Sequence, residues 1–350
     1  MVENYRQGRM RVFGYIRFSF FGRNDTKLSR HTTDEIERFN ALYDPVRMKE
    51  RFYFFEKVTL PSIRAQTDPE FKIIVATSNV MPDEYKSRLE EIVADIPQIE
   101  ILYSDADHIS DALNPKIKEM TADITDKTIH FRLDDDDAIC AQMVTMLKKS
   151  LRRCHPDDLV TFPRGLYLAS DGGNSYVLRK FEPYIAIAWA LVNGPGQVRN
   201  PYHFKHGARY EVGPSYMDPR PYAYIHVAHD SSDTREQQAR KLRHALNFDT
   251  AHGSERALAR TAQIVERRFP SFTMDSLHDI ITNAPGRKKR KAKVSVGKPA
   301  TAASTPSAVE VLSASRAKSS SKAASAGKTT PKAKPAKAKI AKAKTVKAAE

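Results

Sequence analysis

The chain has 350 residues, 41% of them hydrophobic, enough for one large core or two ordinary domains. Its two cysteines, Cys140 and Cys154, exclude a disulfide framework, and no run approaches the roughly 20 apolar residues of a membrane-spanning helix. The net charge of +15 is uneven: residues 285–350 hold 18 Lys or Arg against Glu310 and Glu350, while residues 1–284 hold 39 basic against 40 acidic.

The opening MVENYRQGRMR lacks the apolar stretch of a signal peptide, which with reduced thiols predicts a cytoplasmic protein. RVFGYIRFSFF (11–21) reads as a first strand ending at Gly22-Arg23-Asn24-Asp25. A charged insert follows to about Lys49. RFYFFEKVTLPSIRAQT then has helical apolar spacing, in which Pro61 implies a kink or a late start. FKIIVATS (71–78) is a nearly continuous apolar run, the mark of a strand buried on both faces. The cycle repeats with a helical pattern from Pro82-Asp83-Glu84, a strand at Ile99–Tyr103 and a helix over 111–126. TIHFRL (128–133) is a buried strand running into Asp134-Asp135-Asp136-Asp137, with a helix over roughly 140–153 behind it. Strands and helices alternating at these lengths predict a parallel α/β sheet.

Beyond Asp158 the rhythm changes. LVTFPRGLYLA, NSYVLRKF and YIAIAWALV are strand-like and joined by turns such as Asp171-Gly172-Gly173-Asn174, which predicts a mixed or antiparallel extension. YIHVAH (224–229) is a further strand, and helical pieces are expected near 234–246 and 254–268. From Pro285 on, Ala, Lys, Ser, Thr and Pro dominate and aromatics are absent. Such a segment buries too little to offset about 1–2 kcal/mol of backbone entropy per residue. The expectation is one folded domain over 1–284 and a disordered basic tail over 285–350.

In an open parallel sheet, ligands bind at the carboxyl ends of the strands, and TIHFRL delivers four aspartates there. Carboxylates one residue apart on an extended segment point the same way, so Asp134 with Asp136, or Asp135 with Asp137, suits a hard divalent cation, Mn²⁺ or Mg²⁺. A cation of that kind neutralises the charge that develops on a departing diphosphate. The competing reading is a solvated acidic loop or a helix cap, a role that Asp137 would fill.

The run from FEKVTLPSIRAQTDPEFKIIVATS to HFRLDDDDAI resembles the GT-A glycosyltransferases, in particular a bacterial rhamnosyltransferase-like family, over roughly residues 11–235. The shared features are a helix ending in Gln66-Thr67 before a strand, and a later strand ending in D-x-D, here Asp134-Asp135-Asp136, which Asp137 extends. The resemblance implies a GT-A-like nucleotide-binding sheet and transfer of a sugar from a nucleotide-sugar donor to an acceptor hydroxyl on a glycan or lipid-linked molecule. It implies donor contacts from Arg17, Phe18 and Ser19 at the end of the first strand and from Arg132, Asp134 and Asp135. It implies metal ligation by Asp134, Asp136 and Asp137, with a late histidine completing the site. Strand alternation sets His229 apart from His226, and His229, at the strand end, is the expected ligand. Relatives carry an acid after the second strand to hold the base; Thr77-Ser78-Asn79 stand here instead, so base recognition has no assigned residue. Tyr184, Trp189 and Tyr202 are candidates to stack on a sugar.

An inverting transferase needs a carboxylate to deprotonate the acceptor. In the resembled superfamily this base falls between the D-x-D strand and the late histidine. That window makes Glu211 and then Asp218 the expected catalytic residues, with Glu182 and Asp171 behind them. Two other readings compete. Phosphoryl or nucleotidyl transfer also uses carboxylate-bound Mg²⁺, but no G-x-x-x-x-G-K loop is present. A polyanion- or nucleic-acid-binding protein would act through the tail by counterion release. The same charge would alternatively hold an enzyme at an anionic membrane surface, peripheral at the inner face.

Overall fold

The computed structural model describes residues 11–22, 34–171, 174–204, 213–229, 246–247 and 255–285. The expected base Glu211, residues 234–245 of the helix expected over 234–246, and the basic segment from 286 onward lie outside the described residues, and Leu246 begins a short strand instead. The fold is α/β, a mixed sheet flanked by helices with a second sheet beside it.

The four apolar runs marked by the sequence are strands β1 (Val12–Arg17), β2 (Lys72–Ser78), β3 (Ile99–Ser104) and β4 (Thr128–Leu133). They pair in parallel in the order β4-β1-β2-β3. Parallel neighbours need long crossovers, and helices supply them. Between β1 and β2 lie α1 (Glu35–Leu42), α2 (Pro45–Phe54), a π-helical turn (Phe55–Thr59) and α3 (Leu60–Arg64); α4 (Asp83–Val93) and α5 (Ile109–Met120) make the next two crossovers. Alternation sends Val12, Ile16 and Phe18 into one core with Phe52, Phe55 and Leu147, and Phe13 and Tyr15 into another with Ile74, Leu113 and Ile117. Both faces of the sheet are therefore covered, which is why its strands read as unbroken apolar runs.

Pro61 does not delay the helix to a late start. The chain stays helical from Pro45 to Arg64 and widens into the π-helical turn just before the proline, where the missing amide costs a ladder bond. The helix predicted over 140–153 is shorter, α6 (Met143–Leu151), and the buried, unbridged Cys140 and Cys154 flank it.

The second half supplies β5 (Ala138–Ile139), β6 (Leu159–Thr161), β7 (Arg164–Asp171), β8 (Asn174–Phe181), β9 (Ala190–Asn193), β10 (Ser215–Met217), β11 (Tyr222–Ala228) and β12 (Leu246–Asn247). Strand β9 joins the first sheet antiparallel to β4 and β6, giving the order β10-β6-β9-β4-β1-β2-β3. The second sheet runs β12-β8-β7-β11-β5, with β7 and β11 parallel and the other pairs antiparallel. Helices α7 (Glu255–Arg268) and α8 (Met274–Thr282) close the first core through Val265, Phe269, Leu277 and Ile281. Strand β5, directly after the aspartates, belongs to the second sheet, so the acidic run is the hinge between the two sheets.

Candidate functional site

Asp134 to Asp137 leave the carboxyl end of β4, next to the ends of β1 and β9. Each side chain finds a different partner. Asp134, the most exposed at 31%, accepts from Arg132 Nε and Nη2 at 3.0 and 2.8 Å. Asp135 turns inward to Arg51 Nη2 at 2.5 Å, and its Oδ2 is buried without a hydrogen-bond partner. Asp136 meets His229 Nε2 at 2.9 Å. Asp137 is buried and accepts the Val227 amide at 2.9 Å, tying the run to β11. In these contacts the four carboxyl groups meet two guanidiniums, one imidazole and one backbone dipole, and burial raises Asp137 well above the usual carboxylate range.

Electrostatics separate the acids further. Burial raises the Asp135 carboxyl to about 6 against the pull of Arg51. Burial works the same way on Asp136, but the hydrogen bond and charge of His229 hold it below the usual carboxylate range. Burial alone would lower His229, yet Asp136 and Glu50 raise it to about 9.

The long helix α2–α3 braces this run. Glu50 Oε1 takes His229 Nδ1 at 2.8 Å, and Arg51 takes Asp135. Thr59 Oγ1 donates to the Asp137 carbonyl at 2.9 Å, and Ser62 Oγ accepts the Ile139 amide at 3.3 Å. Gln66 Nε2 donates to the Cys140 carbonyl at 2.9 Å while its Oε1 accepts from the Val144 amide, and the Thr67 amide donates to Ala141. The Gln-Thr pair therefore anchors the backbone that follows the aspartates. Glu50, Arg51 and Gln66 escaped the sequence reading of site roles. Their signal was an acid and a base at adjacent positions among Met48, Phe52, Phe54 and Phe55, on a helix that buries most of its surface.

Around the first strand, Ser19 has φ +44°, a left-handed conformation rare outside glycine. Its hydroxyl accepts from Arg47 Nη1 at 3.1 Å and its carbonyl from the Tyr43 hydroxyl at 3.1 Å. Burial and the neighbouring Arg51 lower Arg47 to about 10. Arg17, at the end of β1, contributes to the potential felt by Arg47 and Tyr202. Phe18, expected on the donor side, is fully buried with its ring 5.0 and 5.1 Å from Phe52 and Phe55. Its ring faces the core because strand alternation turns it away from the sheet's edge.

Asp137, grouped with the metal ligands from the sequence, points to β11 and stands apart from the Asp136–His229 pair; nor does it cap a helix, since β5 follows it. Asp218 lies beyond β10, three strand spacings from β4, or about 14 Å, and is held by Arg220 at 2.7 Å. The charges of Glu182, Asp134 and Asp136 all act on His226. Lys180 joins Glu182 and approaches His226 Nδ1 at 3.2 Å, and burial with Lys180 lowers His226 to about 4. Tyr202 packs on the Arg132 guanidinium at 4.6 Å, whereas Trp189 is buried against Phe204. Tyr184 sits at φ +58° in the loop before β9.

Among the described residues, no group of three or more His, Cys, Asp or Glu is arranged to hold a metal. Mg²⁺ and Mn²⁺ need less from a protein when a substrate's phosphates share the shell: one or two side chains suffice. Asp136 and His229 form a pair of that size. The residues present fit a cation shared with a ligand, and do not form a closed cage.

Residues 11–241 match the family described as Putative rhamnosyl transferase. The chain belongs to that family. No curated protein matches it. Among solved structures it is similar to Staphylococcus aureus TarS 1-349 in complex with UDP-GlcNAc, at 10% identity and TM-score 0.39, covering 65% of this chain and 61% of that one. The complex of the same protein with UDP gives 10% identity, TM-score 0.37 and coverage of 74% and 70%. TarS 1-349 crystallised alone gives 10%, 0.36, 78% and 81%. In the first of these the chain spans less than two thirds of the neighbour's length.

Proposed function

We propose that the chain is a GT-A-type glycosyltransferase, moving a sugar from a nucleotide-sugar donor to an acceptor hydroxyl with a divalent cation at Asp136 and His229. The observation that carries the reading is the meeting of Asp136, two residues into a D-x-D run at the carboxyl end of β4, with His229 at the end of β11. When bound, Mn²⁺ or Mg²⁺ stabilises the charge of the departing nucleoside diphosphate. Asp134, with the most exposed side chain of the run, faces the donor's ribose, and Arg132 fixes its orientation. Arg17 and Arg47 at the end of β1 supply positive potential for the phosphates. Glu182, beside Lys180, is our candidate among the described residues to take the acceptor's proton, a carboxylate role worth about 10²–10⁴ in rate.

A panel of nucleotide sugars, each with and without Mn²⁺, tests the reading by thermal stabilisation, because a bound donor stabilises the fold by mass action. A donor that raises the melting temperature only with the cation supports it. Absence of stabilisation by every donor, with or without Mn²⁺, defeats it.

A further inference from the structure

We propose that Glu50 is a positioning residue, which fixes the tautomer and ring plane of His229 so that Nε2 faces the cation position beside Asp136. The inference rests on the proposed cation-dependent transfer and deepens it. Three contacts hold the imidazole. Glu50 Oε1 lies 2.8 Å from Nδ1, Asp136 Oδ2 lies 2.9 Å from Nε2, and the Phe54 ring covers one face at 4.4 Å between centroids and 30° between planes. Glu50 and Phe54 are four residues apart on α2, the spacing that puts both on one helix face. One turn of helix therefore sets the ring's edge and its plane together.

The chemistry of Glu50 asks for more than packing. It is only 5% exposed, on a helix whose buried neighbours include Met48, Phe52 and Phe54. A carboxylate pays several kcal/mol for burial there, whereas a glutamine would make the same hydrogen bond at less cost. A charged acceptor is favoured when the imidazole it holds must itself face positive charge. A histidine that ligates a metal through one nitrogen commonly donates its other N–H to a carboxylate, which fixes the tautomer and strengthens the ligand. With Nδ1–H committed to Glu50, Nε2 is the nitrogen left to face Asp136 and the cation position.

Calorimetric titration of the full chain with Mn²⁺, alone and with UDP, tests this on wild type, Glu50→Gln, Glu50→Asp and Asp136→Asn. The expected result is Mn²⁺ affinity weakened about 10–100-fold by Glu50→Gln, partly restored by Glu50→Asp, and abolished by Asp136→Asn. Wild-type affinity in Glu50→Gln, with loss in Asp136→Asn, would overturn the positioning role and leave the cation site standing. Failure of the wild type itself to bind Mn²⁺ would instead defeat the reading beneath it. If Glu50→Gln does not fold, histidine-labelled wild type decides by long-range proton–nitrogen spectra in Mg²⁺ and UDP. His229, identified by its loss in His229→Asn, must carry its proton on Nδ1; a proton on Nε2 overturns the proposal.

Discussion

Asp136 is the residue whose replacement separates chemistry from folding. It is the partly exposed acid that meets His229, whereas Asp135 and Asp137 are buried against Arg51 and the β11 backbone. Asp136→Asn should therefore fold normally and lose about 10²–10³ in turnover, the scale for removing one charge-stabilising group at a transition state. Asp137→Ala should do the reverse, costing stability first, because it leaves the buried Val227 amide without its acceptor. Turnover and melting temperature measured on both variants check the contrast, and equal effects on both quantities would refute it. The acids were legible in the sequence because four in a row after an apolar strand have few structural uses. Their division of labour was not. It depends on partners 84 and 93 residues away, Arg51 and His229, which no local spacing reveals.

The elements beneath the site are held by close fits that the sequence announces only in part. Gly14 in β1 lies between β4 and β2, and a Cβ there would meet the Phe131 ring at 2.5 and 2.8 Å and Ile73 at 2.9 Å. Gly14→Ala should cost about 1–3 kcal/mol through overpacking, read as a lower denaturation midpoint with an unchanged slope. The β1–β4 pair is also joined by His130, whose Nδ1 is 2.6 Å from the Tyr15 hydroxyl and Nε2 2.7 Å from Thr128 Oγ1. Burial lowers His130 to about 3, so between pH 6.5 and that value the unfolded chain takes a proton that the native state refuses. Stability is full above pH 6.5 and falls with acidification by up to about 1.4 kcal/mol per pH unit from this group. His130→Gln should flatten that slope in denaturation measured from pH 4 to 7. The strands themselves were readable as apolar runs, since both faces of the parallel sheet are buried. The π-helical turn before Pro61 and the late start of α6 were not, because each lies against tertiary contacts with the 137–144 backbone.

At the scale of the molecule, the chain divides by charge. The described residues end at 285, and among them no helix is long and apolar enough to cross a membrane. The 18 basic residues of segment 285–350 follow a near-neutral stretch over 1–284. Screening reaches about 8 Å at physiological ionic strength, and within that reach the acids already have Arg51, Arg132 and His229. Truncation after Ala284 should consequently leave donor binding and turnover on a soluble acceptor within about twofold of the full chain. It should abolish binding to vesicles containing anionic lipid, to which basic residues near the surface contribute about 1 kcal/mol each. That binding in the full chain should weaken steeply as salt rises. Nucleic acid provides the contrasting probe: if the full chain holds duplex DNA far more tightly than such vesicles at equal salt, the tail serves a polyanion and not a membrane. Loss of sugar transfer on truncation would contradict the division itself, because it would place the chemistry's requirements beyond the braced aspartates.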